Sequence, residues 1–405
     1  MSRKTIGVAV IGAGMAGRAH ASGYRSAPAL YGDGLPEVRL VAIADAHEPF
    51  AADTARRFGY QRTETSWEAI AKAPDIDAVS VVVANALHRE IVEALLDAGK
   101  HVLCEKPLAP SVADAEAMAA RAEASGCVAA VGFTFRRSPA INAIRQQVTE
   151  GALGPVRHFN GHYWCDYGLD PQAPMSWRYR GALGSGALAD IGTHLVDLGE
   201  FLCGPVRSVR GTVLKTVIGD RPAPLGIAVG HAAGVPVSHI REPVENEDLV
   251  TFTATFEGGA VGTFSVSRIA FGMANSLGFE VFCPGGAAAF NLDRAAEFSI
   301  ADGGPARPVN GFRQVLVGPD HPYITQGIPM DFPGVGHGQS DFFAWQARAF
   351  LEEIAGLDRL PRCPGFAHGL HNLRVLDAVV VAAGGNGEAF VAGGHAAGRP
   401  GREQS

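Results

Sequence analysis

The segment from Gly186 to Asp197 places two carboxylates and a histidine at spacings that suit acid–base chemistry. Asp190, His194 and Asp197 follow one another at i, i+4 and i+7, so a helix would align them along one face. A histidine one turn from a carboxylate can be held in one tautomer and act as a general base. The spacing leaves two alternatives open, a capped helix with a satisfied polar pair and a metal site built on Asp and His.

A lysine that could face a ligand lies in Glu105-Lys106-Pro107, directly after the predicted strand His101–Leu103. Ligands of open α/β sheets bind beyond the carboxyl ends of the strands. Lys106 would point into that crevice, and Pro107 would restrict the main chain on both sides of it. The alternative is an ordinary surface Glu–Lys pair.

A glycine-rich turn near the N-terminus has the pattern of a dinucleotide site. Gly12-x-Gly14-x-x-Gly17 follows the apolar run Ile6–Ile11 and opens a helical pattern. The first glycine would permit the tight turn, the second a close approach to a pyrophosphate, and the third close helix–strand packing. The main chain from Gly12 through Ala13, Gly14, Met15 and Ala16 to Gly17 would therefore hold the phosphates. A plain glycine turn is the alternative.

Asp45 ends the second predicted strand, where an acid can bind both ribose hydroxyls of NAD and repel the 2′-phosphate of NADP. No Arg or Lys follows at positions 46 or 47 to favour a phosphate. The alternative is that Asp45 only caps the next helix.

Two sequence regimes predict the elements that carry these residues. Up to about residue 135, short apolar runs alternate with helical patterns, which predicts a doubly wound parallel sheet. Beyond residue 150, longer β-like stretches predict an open, mainly antiparallel sheet with helices on one face. We therefore predict an α/β protein with a Rossmann domain over 1–135, a substrate-binding and oligomerisation domain over 136–385, and a loosely ordered tail over 386–405. Stretches 219–245 and 301–338 are rich in glycine and proline and predict long surface loops.

Composition excludes several classes of partner. The 405 residues carry a net charge of −7 without a basic block, which argues against nucleic acid or an anionic membrane as the main partner. No run of about 18 apolar residues could span a bilayer. The six cysteines lie far apart, without metal-ligand spacing, and predict reduced thiols in a cytoplasmic protein that holds no metal.

Over residues 5 to about 385 the chain resembles the glucose–fructose oxidoreductase / inositol dehydrogenase / MocA family. The resemblance rests on an ordered series of motifs. They are the fingerprint followed by His20, Asn85-x-x-His88, Gly99 to Leu108 with its Glu105-Lys106-Pro107, Gly132-Phe133 and Arg136, Ser176-Trp177-Arg178, the Asp190/His194 segment, and Asn246-Glu247-Asp248.

The resemblance implies a Rossmann domain followed by an α/β domain whose large sheet often forms oligomers. It also implies that Lys106, Asp190 and His194 flank the nicotinamide of a bound NAD. Among the matched motifs, the additional cofactor-binding residues would be Asn85, His88, Glu105, Trp177 and Arg178.

The implied reaction is oxidation of a secondary hydroxyl of an unphosphorylated sugar, anhydrosugar or cyclitol to a ketone. His194 would take the hydroxyl proton, Asp190 would orient the imidazole, and Lys106 would stabilise the alkoxide. The aromatic stretch His162–Tyr167, with Trp177 and Arg178, suits a polyhydroxylated ring, although packing of the sheet is an equal alternative. The predicted substrate-binding residues are Lys106, Tyr163, Asp166, Arg178, Asp190 and His194.

Three other functions stay open at this point. They are an NAD-retaining enzyme that cleaves glycosides through transient oxidation, a non-catalytic sensor of NAD or sugar, and a reductase of an imine or biliverdin-like substrate. The chain also departs from the family pattern. Val83-Ala84-Asn85 replaces the usual Thr-Pro-Asn, and the usual glycine triplet reads Gly184-Ser185-Gly186.

Overall fold

The computed structural model describes residues 5–151, 153–181, 186–226, 235–302, 311–325, 327–330, 332, 334–357, 359–385 and 387–393. Its N-terminal part is a six-stranded parallel sheet with helices between the strands. The strands are β1 (Ile6–Ile11), β2 (Val38–Ala44), β3 (Arg62–Glu64), β4 (Ala78–Val81), β5 (His101–Cys104) and β6 (Ala129–Val131). The helices are α1 (Met15–Tyr31), α2 (Glu48–Phe58), α3 (Trp67–Lys72), α4 (His88–Asp97), α5 (Val112–Ser125) and α6 (Pro139–Thr149).

The strand order β3-β2-β1-β4-β5-β6 confirms the predicted doubly wound sheet. Strand β1 is buried along its whole length because helices cover both faces, which explains its unbroken apolar sequence. The chain reverses its direction of winding between β1 and β4, so the glycine turn after β1 lies at the switch point. Strand β3 was not predicted, since its three residues are charged or polar and only half-buried.

The C-terminal part is a nine-stranded sheet in the order β16-β15-β14-β13-β7-β12-β11-β8-β17, with β9 and β10 paired separately. Strands β7 and β12 run parallel, whereas the other paired strands are antiparallel, as the mainly antiparallel prediction requires. The strands are β7 (His158–Cys165), β8 (Val206–Lys215), β9 (Asp220–Pro224), β10 (Val237–Pro243), β11 (Leu249–Phe256), β12 (Val261–Ser267), β13 (Asn275–Cys283), β14 (Gly286–Asn291), β15 (Glu297–Asp302), β16 (Arg313–Leu316) and β17 (Ala389–Phe390). The helices are α7 (Thr193–Cys203), α8 (Gln339–Ile354) and α9 (Phe366–Gly385).

Three predictions about irregular segments need correction. The predicted loop at 219–245 contains the β9–β10 pair, and the one at 301–338 contains β16. The predicted loosely ordered tail contains β17, which pairs with β8. Glycine and proline misled the prediction because short strands at the edge of a sheet tolerate both residues. Residues 227–234, 303–310, 326, 331, 333, 386 and 394–405 lie outside the described residues.

The two sheets are joined by packing as well as by the chain. Helix α8 returns to the N-terminal part and lies so close to α1 that a side chain at Gly23 would collide with the main chain of Phe343. Glu105 and Lys106 follow the carboxyl end of β5, and Asp166 and Tyr167 follow that of β7. The fold thus brings these two strand ends to one cleft. In the part of the chain that is described, no helix combines the length and apolarity needed to cross a bilayer.

Candidate active site

The glycine turn after β1 has the stereochemistry of a phosphate-binding loop. Gly12 has a φ of +99°, and a Cβ there would lie 2.0 Å from the Val82 carbonyl oxygen. A Cβ on Gly17 would lie 1.9 Å from the Gly12 carbonyl oxygen, whereas one on Gly14 would have no atom within 4 Å. A side chain at Gly12 or Gly17 would therefore collide with the protein, whereas a side chain at Gly14 would occupy only open space beside the turn. Open space at the N-terminus of α1 is what a pyrophosphate needs, so the loop fits NAD.

Asp45 faces this turn from the end of β2. Its Oδ2 accepts a hydrogen bond of 2.7 Å from the Ala13 main-chain N–H, and Oδ1 accepts one of 2.8 Å from that of His47. The N-cap of α2 is His47, so the alternative of Asp45 as the helix cap is not what the structure shows. The carboxylate lies beside the glycine turn, where ribose recognition was predicted.

The substrate side of the cleft centres on the Asp190 carboxylate. Lys106 Nζ lies 2.5 Å from the Asp190 carbonyl oxygen and 3.3 Å from Oδ1. The Tyr167 hydroxyl donates to Oδ2 at 2.8 Å, and Arg178 Nε lies 3.5 Å from the same oxygen. Residues 106 and 190, which are 84 positions apart, are therefore in contact, although the motifs predicted only that both lie at one site. Tyr167 is a partner that the sequence analysis named only within an aromatic stretch.

The segment that carries Asp190 and His194 is not a regular α-helix. Residues Leu188–Gly192 form a π-helix that runs into α7, so the predicted i, i+4 alignment of an α-helix does not apply to positions 190 and 194. Within the described residues, the Nδ1 atom of His194 is buried and has no hydrogen-bond partner. Asp190 therefore does not orient the imidazole through a hydrogen bond to Nδ1. Apolar contacts hold the ring instead, with Phe135 at 4.8 Å and Tyr163 at 6.2 Å between ring centroids.

The surroundings of His194 keep its imidazole neutral. Burial, and after it the positive charge of Lys106, lowers the pKa of His194 to about 3. Nearby carboxylates, Glu105 first among them, oppose this shift without overcoming it. The ring nitrogen therefore keeps a free lone pair throughout the neutral range, which a proton acceptor requires.

Asp197, the third member of the predicted row, belongs to a structural cluster behind the site. Its carboxylate accepts hydrogen bonds from Arg136 Nε at 2.9 and 3.0 Å, and His368 Nε2 lies 2.8 Å from it. Burial alone would raise the pKa of Asp197, but the charge of Arg136 and the hydrogen bond from His368 lower it. The cluster ties α7 to α9 and to the segment after β6, and so fixes the helix that carries His194.

Two residues predicted to bind cofactor have other partners. His88 is 1% exposed, and its ring nitrogens lie 3.1 Å from the Leu108 and 3.2 Å from the Val83 carbonyl oxygen. It therefore links the end of β4 to the segment after Pro107, which corrects its assignment to the cofactor site. Glu105 contacts His20 Nε2 at 2.8 Å, so its carboxylate also turns towards the protein. Asn85 is buried in the short turn before α4.

The remaining predicted residues surround the cleft. Trp177 is 41% exposed, and the Arg178 guanidinium lies 4.5 Å from its ring centroid. Tyr163 is buried, and its hydroxyl donates to Asn275 Oδ1 at 2.8 Å. This hydroxyl therefore links strands β7 and β13. Asp166 is half-buried directly after β7. Gly184 and Ser185 of the glycine triplet lie outside the described residues.

The metal alternative finds no support in this geometry. Among the described residues, no group of three or more His, Cys, Asp or Glu side chains could hold a metal ion. Asp190, the best candidate ligand, already faces the cations of Lys106 and Arg178, which would repel a metal.

Family models match both parts of the chain. Residues 6–133 match the oxidoreductase family with an NAD-binding Rossmann fold, and residues 141–289 match the GFO/IDH/MocA C-terminal domain. The chain belongs to the Gfo/Idh/MocA family. It is an oxidoreductase whose cofactor is NAD, as the sequence resemblance implied. The glycine turn and Asp45 are the residues of this chain that fit the cofactor.

The similarity to characterised relatives extends over nearly the whole chain. The levoglucosan dehydrogenase of Pseudarthrobacter phenanthrenivorans is 36% identical over 383 residues, which is 94% of this chain and 96% of the relative. A levoglucosan dehydrogenase structure in complex with NADH and levoglucosan has a TM-score of 0.87 at 34% identity, covering 96% of this chain and 100% of the other. An inositol dehydrogenase homologue from Azotobacter vinelandii shares the fold, with a TM-score of 0.76 at 21% identity over 96% of this chain and 98% of the other.

Proposed function

We propose that this protein oxidises a secondary hydroxyl of an unphosphorylated sugar to a ketone, and that the preferred sugar is an anhydrosugar of the levoglucosan type. The observation that carries the proposal is the contact of Lys106 with Asp190 beside the buried His194. The similarity to a levoglucosan dehydrogenase, which covers 96% of that relative, supports the choice of sugar. Cyclitols and ordinary monosaccharides are the next candidates.

Each of the three residues has a distinct role in the proposed reaction. His194 accepts the hydroxyl proton, since its imidazole is neutral at the working pH and lies near Lys106. Lys106 donates a hydrogen bond to the same oxygen and stabilises the negative charge that develops there. Asp190 positions Lys106, since its side chain and carbonyl oxygen hold the ammonium group. When bound, NAD supplies the acceptor for the hydride.

The side chains around Asp190 suit a small polyol. Arg178 and Tyr167 both approach the Asp190 carboxylate, and Trp177 offers an exposed indole face to the C–H side of a ring. Asp166 and Tyr163 lie at the end of β7, where the Asp166 carboxylate would accept hydrogen bonds from substrate hydroxyls and the Tyr163 ring would contribute apolar surface. A phosphate would need free cations, whereas Arg178 and Lys106 are both turned to Asp190.

The test is reduction of NAD, followed at 340 nm, with levoglucosan, other anhydrosugars, monosaccharides, inositols and simple glycosides, and with NADP in parallel. We expect the highest kcat/KM with NAD and an anhydrosugar. If NADH formed only with inositols, the proposed substrate would be a cyclitol and not an anhydrosugar. No NADH formation, together with NAD that stays bound through purification, would favour the glycoside-cleaving function instead.

We further infer that copies of the chain associate through the nine-stranded sheet, as a dimer or a tetramer. Alternate side chains of β7 face inward, while His158 and Asn160 on the other face are exposed. Light scattering coupled to gel filtration tests this inference, and a monomer at working concentration would contradict it.

A further inference from the structure

A buried row of hydrogen bonds beneath the Glu-Lys-Pro segment has no part in the proposed reaction so far. The Tyr24 hydroxyl lies 2.9 Å from Ser80 Oγ, and Ser80 Oγ lies 3.1 Å from His20 Nδ1. His20 Nε2 then lies 2.8 Å from Glu105 Oε1. Helix α1 contributes Tyr24 and His20, β4 contributes Ser80, and Glu105 directly precedes Lys106. We call these four residues the Tyr24–Glu105 chain.

The chemistry of its members gives the Tyr24–Glu105 chain a direction. Burial alone would raise the pKa of the Glu105 carboxyl, but the hydrogen bond from His20 and the charge of Lys106 outweigh it and lower the pKa. An ionised carboxylate can only accept, so His20 Nε2 carries the proton and donates to Glu105. A neutral ring can then accept from Ser80 at Nδ1, and Ser80 can accept from Tyr24. Each donor in the row therefore has an acceptor.

Glu105 is held on two further sides. Its Oε2 accepts the main-chain N–H of Lys106 at 3.2 Å. A Cβ on Gly132 would lie 2.5 Å from its Oε1, so a glycine at 132 leaves the room that the carboxylate occupies. His20 itself is 3% exposed and packs edge-on against Phe343 at 5.4 Å between ring centroids. The position of Glu105 is thus fixed by surroundings that a substrate cannot reach.

We propose that His20 is a positioning residue of the reaction, an inference that rests on the proposed function. By donating to Glu105 it fixes the main chain at Lys106, so that the ammonium group meets Asp190 in the cleft. The chain of hydrogen bonds thereby connects helix α1, which also begins at the cofactor turn, to the lysine of the substrate side.

Two substitutions of His20 distinguish the effect of its hydrogen-bond donor from the effect of its packing. His20→Gln places an amide N–H near the position of Nε2, whereas His20→Asn reaches only the position of Nδ1. We expect His20→Gln to keep kcat within about threefold and His20→Asn to lose about tenfold to a hundredfold, with the KM for NAD within about threefold in both. If both variants keep the melting temperature of the wild type and have equal kcat values, the proposal is overturned.

Two buried tyrosines provide a matched control. The Tyr60 hydroxyl is buried and has no hydrogen-bond partner among the described residues, whereas that of Tyr24 donates into the chain. We expect Tyr24→Phe to lower kcat about threefold and Tyr60→Phe to leave it unchanged. A loss of the same size in both would attribute the effect to packing and would refute the role of the chain.

A measurement without substrate distinguishes this proposal from the proposed function. The sequence contains five lysines, and after ¹³C reductive methylation the Lys106 signal is identified by its absence in Lys106→Arg. We expect that signal to shift in His20→Asn but not in His20→Gln, while those of exposed Lys72 and Lys215 stay in place. If the wild type oxidises no polyol, the proposed function fails alone, whereas an unmoved Lys106 signal in both variants refutes the positioning role.

Discussion

The cofactor half and the substrate half of the cleft are built from different parts of the polypeptide. The cofactor half consists of main chain and glycines, and its features are a φ of +99° at Gly12 and open space at Gly14. The substrate half consists of ionisable side chains that meet at Asp190, with a neutral histidine buried beside them. The space around the main chain therefore determines which substitutions the cofactor half tolerates, whereas charge determines which ones the substrate half tolerates. Substitutions in the two halves should alter different measured quantities.

The largest effect is expected from Lys106→Met, which removes the ammonium group but keeps much of the side chain. Stabilisation of the developing negative charge is lost, so we expect kcat to fall about a thousandfold. Titration of NADH fluorescence should give a Kd within about threefold of the wild type. Lys215→Met, on the exposed side of β8, is the control and should change neither value. A parallel loss of NADH affinity would remove the distinction between the two halves.

His194→Leu comes next, because it removes the proton acceptor and keeps the ring site apolar. We expect kcat to fall about a hundredfold or more, with NADH binding retained. If both fell equally, the acid–base role of His194 would have to be abandoned.

The same variant tests the burial of His194 through the pH dependence of stability. The folded pKa is lowered from 6.5 to about 3, so between these values the unfolded state takes up a proton that the folded ring does not. Stability is thus lost as the pH falls below 6.5, by about 1.4 kcal/mol per pH unit from this group. Between pH 6.5 and 5, urea unfolding of the wild type should lose about 2 kcal/mol more than that of His194→Leu. Parallel pH curves would show that the ring is solvated.

In the cofactor half, Gly14→Ala and Gly17→Ala form a matched pair. A methyl group at Gly14 meets no protein atom, so the melting temperature should stay unchanged while the Kd for NADH rises about tenfold to a hundredfold through contact with the pyrophosphate. A methyl group at Gly17 collides with the Gly12 carbonyl and should lower the melting temperature as well. The prediction is wrong if calorimetry finds Gly14→Ala as destabilising as Gly17→Ala.

The same contrast explains how much the sequence could predict. The bounds of β1 and β2 agree with the apolar runs Ile6–Ile11 and Val38–Ala44, because strands buried on both faces have continuous apolar sequences. The glycine turn was predictable because its stereochemistry is local. For the substrate half, the sequence predicted which residues are present but not which of them contact one another. An i, i+4 spacing assumes an α-helix, whereas Leu188–Gly192 form a π-helical turn, and the contacts of Asp190 with Lys106 and Tyr167 come from residues distant in the sequence.

Asp45→Asn tests a smaller effect at the edge of the cofactor half. The amide keeps the size of the side chain and can still accept from Ala13, but it no longer repels a 2′-phosphate. We expect the ratio of kcat/KM for NADP to that for NAD to rise about tenfold. Asp53→Asn, at a half-buried acid on α2 that pairs with Arg56 and Arg57, is the control for a general change of charge. An unchanged ratio would place the ribose away from Asp45.

The smallest effect is expected from Tyr167→Phe, which removes the hydroxyl that donates to Asp190 in the substrate half. The Tyr167 hydroxyl donates to Oδ2, while Lys106 approaches Oδ1 and the carbonyl oxygen, so the lysine keeps its contacts when the tyrosine is lost. We expect kcat to fall about threefold to tenfold, because a hydrogen bond to a charged group is lost but no reacting group is removed. Tyr163→Phe is the control, since that hydroxyl donates to Asn275 on the sheet. If Tyr167→Phe instead lowered kcat as far as Lys106→Met does, the tyrosine would have to donate directly to the substrate, and the electrostatic centre of the cleft would shift from Lys106 to Tyr167.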